Sequence, residues 1–175
     1  RAAVRRVEVE RLALVGAAMA SLTLISPSTG YPQLGIALFA VGVGLGLVYT
    51  VANDVILASV PPERAGAAAA ISETSFELGM ALGVATLGSV VASVYRGMQV
   101  PPGTSDAVAA QATDTLSGAH QAAAALPAGD AHVLLSAAQS AFTHGLAVAS
   151  GVGSALLLAA AATVWILLKP PPAVT

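Results

Sequence analysis

Residues 34–60, LGIALFAVGVGLGLVYTVANDVILASV, carry a single charged side chain, Asp54, in a run that is otherwise almost wholly apolar. Wound as an α-helix, the run extends about 40 Å, more than the ~30 Å hydrocarbon core of a bilayer. Three further stretches share this character, and spans are expected near residues 9–25, 34–59, 67–95 and 142–168. Composition agrees with that pattern. Of 175 residues, 56% are hydrophobic and 9% charged, whereas soluble domains carry about 25% charged residues. The sequence predicts an all-α membrane protein with four transmembrane helices in a lipid bilayer.

The few charges set an expected topology. Arg1, Arg5, Arg6 and Arg11 surround the start of the first span, Arg64 lies between the second and third, and Lys169 follows the fourth. The first connection, SPSTGYPQ, is uncharged, and the long third connection sets Arg96 against Asp106, Asp114 and Asp130. The positive-inside rule then makes both ends and the loop at 60–64 cytoplasmic. Tyr31 and Tyr95 fall at the outer interfaces and Trp165 at the inner one, as an aromatic belt requires. Residues 97–133 are expected to form an external loop with a short helix over 105–125 and no site. Pro61-Pro62 disfavours helix before each proline and favours a new start after it, so PPER reads as a tight turn. The chain opens at Arg1 without a methionine or a signal peptide, and reads as a piece of a longer protein.

A net charge of −2 and the lack of a basic, aromatic-interleaved patch argue against nucleic acid. Cysteine is absent, which removes disulfides, thiolate metal sites and cysteine nucleophiles. No HExxH, GxSxG, P-loop or CxxC occurs, so no enzyme signature, cofactor or metal is expected. GVGLG in the second span lacks the βαβ setting of a dinucleotide loop. Gly35, Gly42 and Gly46 read instead as helix-packing positions.

The third span holds the anomaly. Glu73 and Glu77, in AISETSFELG, are the only charged groups between Arg64 and Arg96. Counted from Ala65, they lie about 12–18 Å into the membrane, near its midplane. An ionisable side chain there costs at least ~2.5 kcal/mol, so neither is expected to face lipid. A carboxyl in such a place suits proton exchange, and when ionised it attracts cations strongly in a low dielectric. The plainer reading is that both are hydrogen-bonded glue between helices. Glu77 lies roughly 40° from Glu73 around the helix, while Gly79 and Gly83, a small-xxx-small pair, lie roughly 240° and 280° from it. Phe76 and Met80 fall near the glutamate stripe, as cavity lining or as ordinary packing. Asn53 and Asp54 are polar near the cytoplasmic third of the second span, for gating, for pairing with Arg64, or as interfacial anchors. His120 and His132 fall in the external loop, and His144 near the outer start of the fourth span, where a hydrogen-bonded role is favoured over ligation.

The run GVGLGLVYTVANDVILASVPPERAGAAAAISETSFELGMALGVATLGSVVASVY, residues 42–95, resembles the late part of a major facilitator superfamily drug antiporter. More narrowly, it resembles the fourteen-helix drug:proton antiporter family of the EmrB/QacA type. PPERAGAAAAISETSFELGMALG is similar to that family's cytoplasmic turn and penultimate helix, and RAAVRRVEVERLALVG to the end of the basic loop before helix eleven. The resemblance implies that residues 1–175 are the C-terminal transmembrane part of a larger helical bundle, helices eleven to fourteen, in a bacterial inner (plasma) membrane. It implies proton-driven export of lipophilic, often cationic compounds by alternating access. Glu73 and Glu77 match the family's acidic positions for cation recognition and proton coupling, and Arg64 and Gly66 match a turn motif that shapes the cytoplasmic side. The family's antiporter motif and early acidic residues lie outside this chain, so transport would need the N-terminal part of the same protein.

Two functions of different class follow. In one, a multidrug antiporter, Glu73 and Glu77 bind a cationic drug and exchange it for protons, with Phe76, Met80 and Tyr49 lining the cavity. In the other, a non-transporting four-helix subunit or scaffold, the same carboxylates hold helices together. A proton-conducting subunit would differ from the first in showing no drug dependence.

Overall fold

The computed structural model of the protein describes residues 2–167 and, of the side chains, those of 10 and 12–166. The described residues form six α-helices and no strands. They are α1 (Ala2–Ser21), α2 (Tyr31–Ala58), α3 (Ala65–Arg96), α4 (Asp106–Asp114), α5 (Leu116–Ala123) and α6 (Ala128–Leu167). Arg1, Lys169 and the expected end of the fourth span at 168 lie outside the described residues. So do the side chains of Arg5, Arg6 and Arg11, on which much of the expected topology depends.

Helix ends follow local chemistry. α1 tightens into a 3-10 turn at Leu22–Leu24, and the hydroxyls of Ser21 and Thr23 donate to the carbonyls of Ala18 and Ala20 at 2.6 Å. These bonds satisfy carbonyls that a helix end leaves without partners. Pro32 opens α2, where a missing N–H costs nothing. At the other end of α2, Ser59 Oγ donates to Ile56 O at 2.7 Å. Pro61 is extended, with φ −62° and ψ 151°, and a 3-10 turn over Pro62–Arg64 feeds α3. PPER is the tight turn that its prolines dictate.

The four long helices pack in the cyclic order α2–α1–α6–α3, with α1–α6 the largest contact and α2–α3 the smallest. Small residues allow the close approaches. A side chain at Gly44 would overlap Val15 of α1, and one at Gly145 of α6 would come within 3.0 Å of the Val91 carbonyl of α3. Ser154 Oγ of α6 donates to Gly16 O of α1 at 2.8 Å, in a buried contact. These are not the glycines that the sequence suggests. Gly35, Gly42, Gly46, Gly79 and Gly83 face open space within the described chain. A glycine-rich run shows that close packing is possible, but the phase of the helix against its neighbour decides which glycine is used.

Apolar side chains cover the outside of this ring. In the most apolar stretches of α2 and α3 only 6% of residues are buried, against 28% in α6. Ile36, Phe39, Met80 and Val84 are all exposed. Such extended apolar surface is incompatible with water. α2, α3 and α6 are long and apolar enough to cross a membrane, and the apolar stretch formed by α1 with the 3-10 turn after it, Leu12–Leu24, is shorter. The protein is an all-α membrane protein.

The connection between α3 and α6 departs most from expectation. The single helix expected over 105–125 is two, broken at Thr115, whose extended backbone and Oγ1, accepting from Gly118 N at 3.0 Å, start α5. α6 begins at Ala128, directly after Pro127, so His132 lies on a helix rather than in a loop, and it is exposed there. α4 and α5 fold onto the ends of α3 and α6 around Tyr95, Met98, Leu134 and a set of alanines. Tyr95 is therefore not a free interfacial ring. It is 3% exposed, and its hydroxyl donates to Ala112 O at 2.9 Å.

Candidate functional site

Polar side chains in α2 and α3 meet about two to three helical turns from the PPER turn. Leaving that turn antiparallel, the two helices bring Tyr49 and Asn53 of α2 level with Ser72, Glu73 and Phe76 of α3. Tyr49 Oη donates to Glu73 Oε2 at 2.9 Å. Ser72, which is buried, places its hydroxyl 3.4 Å from Asn53 Oδ1, a long and weak contact. The rings of Tyr49 and Phe76 are 4.6 Å apart between centroids and tilted by 49°, within the range of favourable aromatic pairs. The remaining hydroxyls of the ISETSFE segment turn inward on their own helix. Thr74 donates to Ala70 O and Ser75 to Ile71 O, which satisfies them without a second helix.

Beside this cluster lies an apolar groove of about 450 Å³, lined by Ile56, Ala68, Ile71, Ser72, Ser75 and Phe76. Phe76 and Ser72 belong to both the cluster and the groove. Neither glutamate lines it, and both are exposed in the chain taken alone.

The structure thus brings together four of the residues singled out from sequence: Glu73, Tyr49, Phe76 and, through Ser72, Asn53. Glu77 and Met80 lie further along α3, exposed, and among the described residues Glu77 has no hydrogen-bond or ion-pair partner. Asp54 and Arg64 are both exposed, and no ion pair joins them among the described residues, so the pairing considered for them is not made. Gly66 faces open space at the start of α3. Arg64 and Arg96 stand at opposite ends of α3. The nearer, Arg64, is about 13 Å from Glu73 along the helix axis, beyond ion-pair reach. Sequence reasoning missed Ser72, although a small hydroxyl residue inside a span commonly marks a helix–helix contact.

Over 127 residues the chain is 43% identical to the multidrug efflux pump LfrA of Mycolicibacterium smegmatis, an overlap of 72% of this chain and 25% of that protein. The chain is related to drug efflux and resistance proteins. It is 36% identical over 111 residues to the methyl viologen resistance protein SmvA of Salmonella typhimurium, covering 62% of this chain and 22% of that one. It is also 28% identical over 168 residues to the tetracenomycin C resistance and export protein of Streptomyces glaucescens, covering 91% of this chain and 31% of that protein. The chain spans about a fifth to a third of the length of these curated relatives. No family model matches the chain, and no solved structure matches it.

Proposed function

We propose that the chain is the C-terminal transmembrane part of a proton-coupled multidrug antiporter of the EmrB/QacA type in the major facilitator superfamily. In this reading residues 9–25, 34–59, 67–95 and 142–168 span a bacterial inner membrane, with the PPER turn and both ends cytoplasmic and α4–α5 outside. Glu73 and Glu77 exchange protons for lipophilic cations as the two halves of the full protein alternate their access. Phe76, Met80 and Tyr49 supply apolar and aromatic wall, and Asp54, Arg64 and Gly66 shape the cytoplasmic end.

The observation that carries this reading is a pair of carboxylates in the middle of an apolar helix, exposed on the described bundle, with no cationic partner there. Glue between helices would be buried in the bundle or matched to donors, and only one oxygen of one carboxylate is. Facing a lipid tail, either ion would be costly, so an aqueous path or the remainder of the transporter covers them. The relatives' names support an exported drug. Methyl viologen, named for one of them, is a dication, a charge that two adjacent carboxylates complement.

The test uses everted vesicles holding the full-length protein and a fluorescent reporter of luminal acidity. Ethidium added to energised vesicles is expected to release luminal protons with wild type, and to release none with Glu73→Gln/Glu77→Gln. An equal response from the double variant would remove the carboxylates from coupling. Absence of any response from wild type would favour the scaffold reading.

A further inference from the structure

The two glutamates share one stripe of α3 but not the same surroundings. Glu73 Oε2 accepts from Tyr49 Oη across the smallest of the four helix contacts in the ring. Its other oxygen has no partner among the described residues, and neither does Glu77. The ring of Tyr49 is fixed in turn by Phe76, which also lines the apolar groove. Tyr49 remains 41% exposed in the described chain, so the hydroxyl and the carboxylate are not sealed between α2 and α3.

A phenol is a particular kind of partner. An arginine or lysine in its place would orient the carboxylate but cancel the charge that attracts a cation. Tyrosine donates a hydrogen bond while remaining neutral, so the negative charge is kept and only its direction is fixed. A carboxylate accepts at both oxygens, so one tethered oxygen leaves the other available. A group already ordered before binding loses less freedom when the ligand arrives.

We propose that Tyr49 is a positioning residue for Glu73: by holding Oε2 it makes Glu73 the pre-oriented carboxylate of the pair, presenting Oε1 to a bound organic cation beside the groove. Glu77, one turn away, carries equal charge without that tether. The two acids are therefore unequal, with Glu73 recognising and orienting the cation. This rests on the reading of the pair as a cation and proton site, and it assigns to the Tyr49 hydroxyl a role that acts through one glutamate, separate from the ring's place in the cavity wall.

The experiment is a set of coupled substitutions in the purified full-length protein in lipid nanodiscs, with equilibrium ethidium binding as the readout. Tyr49→Phe keeps the ring and its stack on Phe76 and removes only the donor. Loss of a hydrogen bond to a charged group predicts affinity weakened about tenfold. In a Glu73→Gln background the same change is expected to have no further effect, and in a Glu77→Gln background it keeps its full effect. Unchanged affinity in Tyr49→Phe, or an equal loss in the Glu73→Gln background, overturns the positioning role. The second of these would mean that Tyr49 touches the cation itself or only holds helices. If Glu73→Gln and Glu77→Gln both bind ethidium as wild type does, the cation site fails rather than the role of Tyr49.

Discussion

Replacing Tyr95 by Phe removes one hydroxyl and nothing else, at a place where the structure gives that hydroxyl a defined task. Ala112 lies in the last turn of α4, where helix carbonyls have no partner within the helix. Its carbonyl accepts from Tyr95 Oη at 2.9 Å, and Ala112 and Tyr95 are 0% and 3% exposed, so water cannot readily substitute. Leaving a buried acceptor unmatched costs about 1–3 kcal/mol. α4 has nine residues, too few to be stable alone, so its order depends on this packing. A loss of about 2 kcal/mol raises the open fraction of the α4–α5 cap roughly thirtyfold. Hydrogen exchange read by mass spectrometry on the full-length protein is expected to show amides of 106–123 exchanging some 10–100 times faster in Tyr95→Phe. Exchange in α1 and α2 is expected to stay as in wild type. Unchanged exchange over 106–123, or the same acceleration in α2, would refute the argument that this one bond anchors the cap.

Gly44→Val forces a branched side chain against Val15 at the α1–α2 contact. Overpacking of this kind costs about 1–3 kcal/mol, and a melting temperature lower than wild type in nanodiscs is expected, whereas no change would mean the contact is looser than described. Thr115→Ala removes the cap of α5, worth about 0.5–2 kcal/mol, and is expected to speed exchange in 116–123 more than in 106–114. Equal exchange in both helices would show that α4 and α5 open as one unit irrespective of the cap.

Much of this architecture was legible because it follows from local chemistry. Apolar runs longer than a bilayer core give α2, α3 and α6, and Pro61-Pro62 gives the turn between α2 and α3. Two carboxylates with no other charge between Arg64 and Arg96 picked out the candidate site without any structure. What stayed hidden depends on phase and on distant packing. GVGLG offers several glycines, and only the tilt of α2 against α1 selects Gly44. Pro127, with Asp130 in the first turn that follows, does carry the signature of a helix start, yet alanine-rich sequence with little periodicity concealed that α6 begins there. The break between α4 and α5 rests on a single capping threonine. Tyr49 and Glu73 lie equally far in sequence on either side of Pro61, so an antiparallel hairpin puts them at one depth. That they face each other requires the rotation of both helices, which no one-dimensional pattern records.

The central claim is that Glu73 and Glu77 drive export. The most direct measurement is uncoupler-sensitive ethidium efflux from energised vesicles containing the full-length protein, with wild type compared with Glu73→Gln and Glu77→Gln at matched expression. The account predicts that Glu73→Gln abolishes efflux while membrane insertion is kept. Normal, uncoupler-sensitive efflux from Glu73→Gln would contradict it, and the same result from both single variants would return the pair to a structural role.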